Sequence, residues 1–165
     1  MKILVAVGSK YGSSREVGRA ISDALTGQGF TVDFCDASDV RTVAPYDAVI
    51  LGSAVYGGLW RRDASSVAKD HKDALLQRAV WTFSVGMENV VVEGQPKDEA
   101  YAITDMIGAR EHKRFAGAIT QDKLNIGERA LIRALDPPLG DFRDFEEIRA
   151  WADGVGAQLR EVAVS

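Results

Sequence analysis

A loop rich in glycine and hydroxyl groups lies near the start of the chain, at residues 8–14. It contains Ser9, Ser13 and Ser14, and Lys10 adds a positive charge. Small residues let backbone N–H groups approach a ligand, and serine hydroxyls donate further hydrogen bonds, so such a loop suits an anion like phosphate. The candidate phosphate ligands are Ser9, Lys10, Tyr11, Gly12, Ser13 and Ser14. An ordinary strand-to-helix turn is the alternative interpretation.

The segments on either side of this loop are predicted to be a buried strand and a helix. Residues 3–7 are five consecutive apolar residues, which is typical of a strand buried on both faces. Over residues 17–25 the apolar side chains recur at helical spacing. Ser13 and Glu16 have the spacing of a capping box, so the helix is predicted to begin at Ser13 or Ser14. The positive end of that helix favours the same anion.

The rest of the chain is predicted to alternate strands with helices. Further strands are expected at residues 30–35, 46–51, 79–85 and 115–119, and helices at 63–77, 98–108, 124–135 and 144–162. This alternation indicates an α/β fold, with a mainly parallel sheet that helices cover on both faces through right-handed crossovers. Because no repeat, low-complexity tract or linker interrupts it, residues 1–165 are predicted to form a single domain.

Two further loops are expected at the same edge of the sheet as the first, where parallel sheets bind their ligands. The loop at 52–60 combines small residues with an aromatic ring and can press against a flat group, while residues 84–89 can line the group's other edge. The candidate residues are Ser53, Ala54, Val55, Tyr56, Gly57, Gly58, Ser84, Val85, Gly86, Met87, Glu88 and Asn89. A phosphate site beside a platform for a planar heterocycle predicts a mononucleotide ligand.

The first loop resembles a known phosphate signature. The pattern Ser9-x-x-Gly12-x-Ser14-x-x-x-Gly18, directly after a hydrophobic strand, is similar to the FMN-phosphate signature of the flavodoxin family. That family favours threonine where Ser14 stands and alanine where Gly18 stands. A closer resemblance is to flavodoxin-domain proteins of the menaquinone-dependent protoporphyrinogen oxidase type. The segments that carry it are 9–16, 51–57, 81–85, 115–117 and 144–145 with the helix that follows.

The resemblance implies a flavodoxin-like three-layer sandwich. Its sheet would have five parallel strands in the order 2-1-3-4-5, and FMN would bind without a covalent bond and carry the redox chemistry. The quinone-linked enzymes have a longer, basic insertion after strand four, which has been tied to their activity. The corresponding stretch here is short and acidic, with Glu88, Glu93, Asp98 and Glu99. This departure counts against a porphyrin substrate and against docking on a membrane.

Two functions remain open. The first is an FMN-dependent oxidoreductase that acts on a quinone, a porphyrinogen or a similar hydrophobic molecule. The second is a flavodoxin-type protein that carries electrons between redox partners, and a related module without flavin is a third alternative. Since the cofactor supplies the chemistry, no catalytic side chain is predicted. Gly57 and Gly58 tolerate positive φ, which would let a peptide carbonyl turn towards the flavin N5; a merely tight turn is the alternative.

Other functional classes fit the sequence poorly. The dinucleotide fingerprint and the triphosphate-binding loop are absent, and Gly8-Ser9 and Gly52-Ser53 stand where a receiver domain needs acidic residues. A net charge of −4 argues against nucleic-acid binding. No apolar stretch is long enough to span a membrane, and because the first strand is predicted to begin near residue 2, no signal peptide is expected.

The cysteine and histidine content argues against a metal site or a disulfide. Cys35 has no second cysteine to pair with, and His71 and His112 are the only histidines in the sequence. Cys35 is expected to be an inert, half-buried thiol, and a reducing cytoplasm is the expected compartment. A homodimer is compatible with the sequence.

Overall fold

The computed structural model of the chain describes residues 1–10, 12–56, 58–86, 99–119, 140–141 and 143–164. The strands are β1 (Lys2–Gly8), β2 (Thr31–Asp36), β3 (Ala48–Tyr56), β4 (Leu59–Trp60), β5 (Ala79–Val85), β6 (His112–Phe115), β7 (Ala118–Ile119) and β8 (Gly140–Asp141). The helices are α1 (Ser13–Gly27), α2 (Arg62–Asp70), α3 (Lys72–Leu76), α4 (Glu99–Ile107) and α5 (Phe145–Val164).

Five parallel strands form the central sheet, in the order β2-β1-β3-β5-β6. The short strand β4 pairs antiparallel with the end of β3 and makes a sixth strand. Without β4, the order is the predicted 2-1-3-4-5, so the expected flavodoxin-like α/β fold is confirmed. Strands β7 and β8 form a separate antiparallel ribbon.

The side chains of β1 show why the strand is apolar throughout. Ile3, Val5 and Val7 belong to the core beneath α1 and α5, whereas Leu4 and Ala6 belong to the core beneath α2, α3 and α4. Successive side chains of a strand point to opposite faces of a sheet, and here both faces are covered by helices. The central layer is therefore held between two helical layers.

Two predicted strand boundaries were wrong. The third strand does not end at Leu51 but continues to Tyr56, and the fully buried ring of Phe83 fills the space beside Gly52. The fifth strand of the sheet is His112–Phe115 rather than 115–119, because Gly117 packs against the backbone of Gly86 and the next residues pair with β8 instead.

Among the predicted helices that lie within the described residues, one is divided in the structure. The single helix expected at 63–77 is divided into α2 and α3 at His71, whose φ is −115°. The helix predicted at 124–135 lies outside the residues that the structure describes. Among the helices that are described, none is both long and apolar enough to cross a membrane.

Candidate functional site

The loop between β1 and α1 leads directly into a helix N-terminus. Gly12 is the N-cap residue and has a left-handed conformation, with φ of 92°. Its N–H donates to Ser9 Oγ (3.0 Å), and its carbonyl accepts the N–H of Glu16 (3.0 Å). Ser9 thus holds the loop by accepting a hydrogen bond, which leaves its own hydroxyl hydrogen to donate to a ligand.

The predicted capping box at this helix does not form. The helix begins at Ser13, as predicted, but its N-cap is Gly12, so Ser13 and Glu16 do not occupy the two positions that a capping box needs. No described side chain caps the helix, and the Glu16 carboxylate bonds Arg143. A helix start without a side-chain cap has backbone donors that an anion can accept from. This arrangement suits an anion such as a phosphate group.

The departure from the family pattern at residue 18 has a packing explanation. A Cβ at Gly18 would lie 2.3 Å from Val7 Cγ2 and 3.0 Å from Phe34 Cε2. The alanine that the family favours therefore does not fit here, since valine and phenylalanine side chains already occupy its space. Ser14, one turn earlier on α1, is also buried, at 1% exposure.

The predicted loop at 52–60 is an antiparallel hairpin formed by β3 and β4. Val55 pairs with Trp60 and Tyr56 with Leu59, and Gly58 has φ of 80°. The side chains that the hairpin exposes are apolar: Tyr56 is 41% exposed and Leu59 is 42% exposed. A flat, apolar ring can pack against such a surface.

Two of the predicted ligand hydroxyls are used inside the protein. Ser53 Oγ donates to the carbonyl of Ala54 and accepts from the N–H of Arg61, both at 2.8 Å. Ser84 Oγ accepts from Trp60 Nε1 at 2.9 Å. Both serines are fully buried, so their hydroxyls stabilise the strands and the start of α2.

A series of side-chain hydrogen bonds anchors the hairpin, and the sequence analysis did not predict it. Beyond Trp60, Ser84 Oγ lies 3.1 Å from His112 Nε2, and His112 Nδ1 lies 2.8 Å from Thr82 Oγ1. The carbonyl of Gly58 also accepts the N–H of Glu99 at the start of α4 (2.8 Å). Thr82 and Ser84 alternate with apolar residues along β5, which indicates that polar partners lie on one face of this strand.

The three predicted loops begin at neighbouring positions of the sheet. Gly8 is in register with Ser53, and Ala54 is in register with Val85. The carboxyl ends of β1, β3 and β5 therefore lie side by side, as expected for a ligand site. Five of the predicted ligands, Tyr11, Gly57, Met87, Glu88 and Asn89, lie outside the described residues.

Charges of both signs surround the first loop. A cavity of about 230 Å³ opens beside it, and its lining includes Lys10, Arg15, Asp36 and Asp63. Arg15 Nε donates to Asp36 Oδ1 at 2.9 Å, so this carboxylate is paired with a cation. Across the residues that the structure describes, no group of three histidine, cysteine, aspartate or glutamate side chains could hold a metal ion.

The thiol of Cys35 is expected to react slowly. Burial raises the pKa of the Cys35 thiol, and the carboxylates of Asp39, Asp36 and Asp33 raise it further. Since the thiolate is the reactive form, alkylation by iodoacetamide at pH 8 should be slower in the folded protein than in urea, and should accelerate as the pH rises. Mass spectrometry over time measures both rates. Equal rates in the folded and unfolded protein would contradict the expectation.

Comparisons with known proteins agree with this architecture. A family model described as Flavodoxin domain matches residues 4–144. No curated protein matches the chain.

Several solved structures are similar in fold. Rubredoxin oxygen:oxidoreductase from Desulfovibrio gigas superposes with a TM-score of 0.68 at 13% identity, over 99% of this chain but 37% of that one. This chain thus spans little more than a third of that enzyme's length. A flavodoxin from the domain Archaea has a TM-score of 0.64 at 11% identity, with 97% of this chain and 99% of that one covered. Flavodoxin 2 from Bacillus cereus has a TM-score of 0.57 at 21% identity, over 82% and 96% of the two chains.

Proposed function

Because the chain belongs to the flavodoxin domain family, we propose that it is an oxidoreductase whose redox chemistry is carried by noncovalently bound FMN. The observation that carries the proposal is the start of α1, whose N-cap is a left-handed glycine and whose first turn no described side chain caps. FMN is the cofactor that family membership implies, and its phosphate is the group that this helix start suits.

The residues of the chain bind and orient the cofactor in this proposal. The hydroxyls of Ser9 and Ser13 and the backbone N–H groups of the loop would hold the phosphate. The hairpin would flank the ring on one side, and the ligands predicted after Val85 would flank it on the other. When bound, FMN supplies the electron and hydride transfer chemistry. The protein's task is to hold it at the edge of the sheet, where partners can reach it.

The peptide between Gly57 and Gly58 is the proposed contact to the flavin N5. The carbonyl of Gly58 accepts a hydrogen bond from Glu99, so it is held towards α4. We therefore assign the contact with the flavin N5 to the carbonyl of Gly57. Gly58 has the positive φ that allows the peptide to turn, which supports the assignment.

The proposed substrate is a hydrophobic molecule of the quinone or porphyrinogen class: a quinone would accept electrons from reduced FMN, whereas a porphyrinogen would donate electrons to oxidised FMN. Tyr56 and Leu59 expose apolar surface on the hairpin, and Tyr101 on α4 is 60% exposed, in edge contact with His112. A planar apolar molecule would pack favourably on these side chains. The second candidate function is an electron carrier between proteins, because the same exposed surface also suits a protein redox partner.

Flavin content and acceptor kinetics test the two parts of this proposal. The purified protein is expected to be yellow and to release FMN, identified by chromatography, when it is denatured. Stopped-flow reoxidation of the reduced protein by quinones should then show rates that saturate with quinone concentration. Rates that rise without saturation would favour the carrier. Protein that is colourless and stays so in excess FMN would overturn the FMN assignment.

A further inference from the structure

A cluster of charged side chains joins the start of α1 to the residues that precede α5. The Arg143 guanidinium donates to both carboxylate oxygens of Asp141, from Nε at 2.9 Å and from Nη2 at 2.6 Å. Its Nη1 donates to the Glu16 carboxylate and to the carbonyl of Ser13 (3.2 Å). The Arg143 side chain is only 11% exposed, whereas that of Glu16 is 64% exposed. Arg143 is therefore the half-buried centre of this cluster.

The position of Glu16 makes its charge important for an anion site. A carboxylate in the first turn interacts favourably with the helix dipole, but it repels a second anion at the same end of the helix. The ion pair with Arg143 compensates the charge of Glu16.

We propose that Arg143 is the positioning residue of the phosphate-binding loop: by pairing with Glu16 and holding the Ser13 carbonyl, it makes the start of α1 receptive to the phosphate of FMN. This inference rests on the FMN binding proposed above. It adds a residue 130 positions away in sequence from Ser13 to the residues that determine cofactor affinity.

The hydrogen bonds of Arg143 indicate that it acts through the loop rather than on the phosphate itself. Its Nε and Nη2 donate to Asp141, and its Nη1 donates to Glu16 and Ser13. All three guanidinium nitrogens therefore already have acceptors within the protein. Because Asp141 ends the β7–β8 ribbon, the cluster also fixes that ribbon to α1.

The test compares FMN with riboflavin, which has the same ring and no phosphate. Dissociation constants of both are measured on apoprotein by flavin fluorescence. Arg143→Gln is expected to weaken FMN binding about tenfold, because the uncompensated Glu16 carboxylate would repel the phosphate, and to leave riboflavin binding unchanged. Arg143→Gln combined with Glu16→Gln should restore FMN affinity, because the uncompensated carboxylate is then gone.

The matched control is Arg160→Gln. Arg160 donates to the carbonyl of Gln28 beyond the opposite end of α1, so both dissociation constants should stay at their wild-type values in this variant. Should Arg143→Gln fail to fold, the exposed residue Glu16 provides the test: Glu16→Gln alone should tighten FMN binding a few-fold and leave riboflavin binding unchanged.

Three outcomes would overturn the role of Arg143. These are an equal loss of FMN and riboflavin affinity in Arg143→Gln, no recovery in the double variant, or unchanged FMN affinity in Glu16→Gln. Failure of FMN binding itself gives a different result, since the wild-type protein would then bind FMN no better than riboflavin or bind neither.

Discussion

Replacement of Ser9 by aspartate is expected to weaken FMN binding about a hundredfold and to leave the fold and riboflavin binding nearly unchanged. Ser9 Oγ accepts the Gly12 N–H at 3.0 Å, and an aspartate carboxylate can accept the same hydrogen bond. The new negative charge would lie beside the phosphate. Two unit charges about 4 Å apart near a protein surface interact by about 4 kcal/mol, and solvent screening reduces this value. A remaining repulsion of about 2.8 kcal/mol corresponds to a hundredfold change in affinity.

Ser9→Asn is the matched control for this charge. Asparagine has the shape of aspartate and an oxygen that accepts from Gly12, but it has no charge. Titration of both apoproteins at low salt, followed by flavin fluorescence, gives the dissociation constants for FMN and riboflavin. Higher salt should narrow the difference between the two variants, because the effect is electrostatic. Equal FMN affinity of Ser9→Asp and Ser9→Asn would show that the phosphate does not bind at this loop.

Gly52→Ala is expected to lower the free energy of unfolding by about 3 kcal/mol, the upper part of the usual range for overpacked cores. A Cβ at residue 52 would lie 2.1 to 2.4 Å from three atoms of the Phe83 ring. That ring is fully buried and packs edge-on against Phe115 and Trp151, at centroid distances of 6.1 and 6.2 Å. The ring cannot move aside without disturbing the core beneath α5. Urea denaturation followed by circular dichroism measures the loss.

Two companion variants isolate the steric cause. Gly154→Ala adds the same methyl group at an exposed position of α5 with no atom within 4 Å, so it should be neutral or stabilise by up to about 1 kcal/mol. Phe83→Leu makes room beside residue 52, so the double variant with Gly52→Ala should lose less stability than the sum of the single losses. Additive losses would mean that the ring and the new methyl group do not compete for space.

The architecture was predictable because its signals are local. Continuous apolar runs such as residues 3–7 identify buried parallel strands, and the helical spacing over 17–25 identifies α1. The right-handed crossover rule leaves few ways to assemble such units. The hydroxyl-rich loop could also be assigned to a helix N-terminus, since its position between a strand and a helix is a property of consecutive residues.

The details of the candidate site were less predictable because they depend on residues far apart in sequence. The Ser84 hydroxyl was predicted to be available to a ligand. It is instead hydrogen-bonded to Trp60 and His112, which lie on two other strands. The predicted end of the third strand at Leu51 followed from reading Gly52 as a break. The ring of Phe83, on the neighbouring strand, fills the space that a side chain at residue 52 would need.

The sequence alone therefore predicted the alternation of strands and helices and the chemistry of the first loop, and the resemblance to the flavodoxin family implied the order of the strands. Only the tertiary structure decided which polar side chains remain available to that ligand. Ser13 and Glu16 illustrate the difference: their spacing favours a capping box, but Arg143, more than a hundred residues later, bonds the carboxylate and the Ser13 carbonyl. Another part of the chain supplies the guanidinium that binds the Glu16 carboxylate, and no local pattern records where that guanidinium will lie.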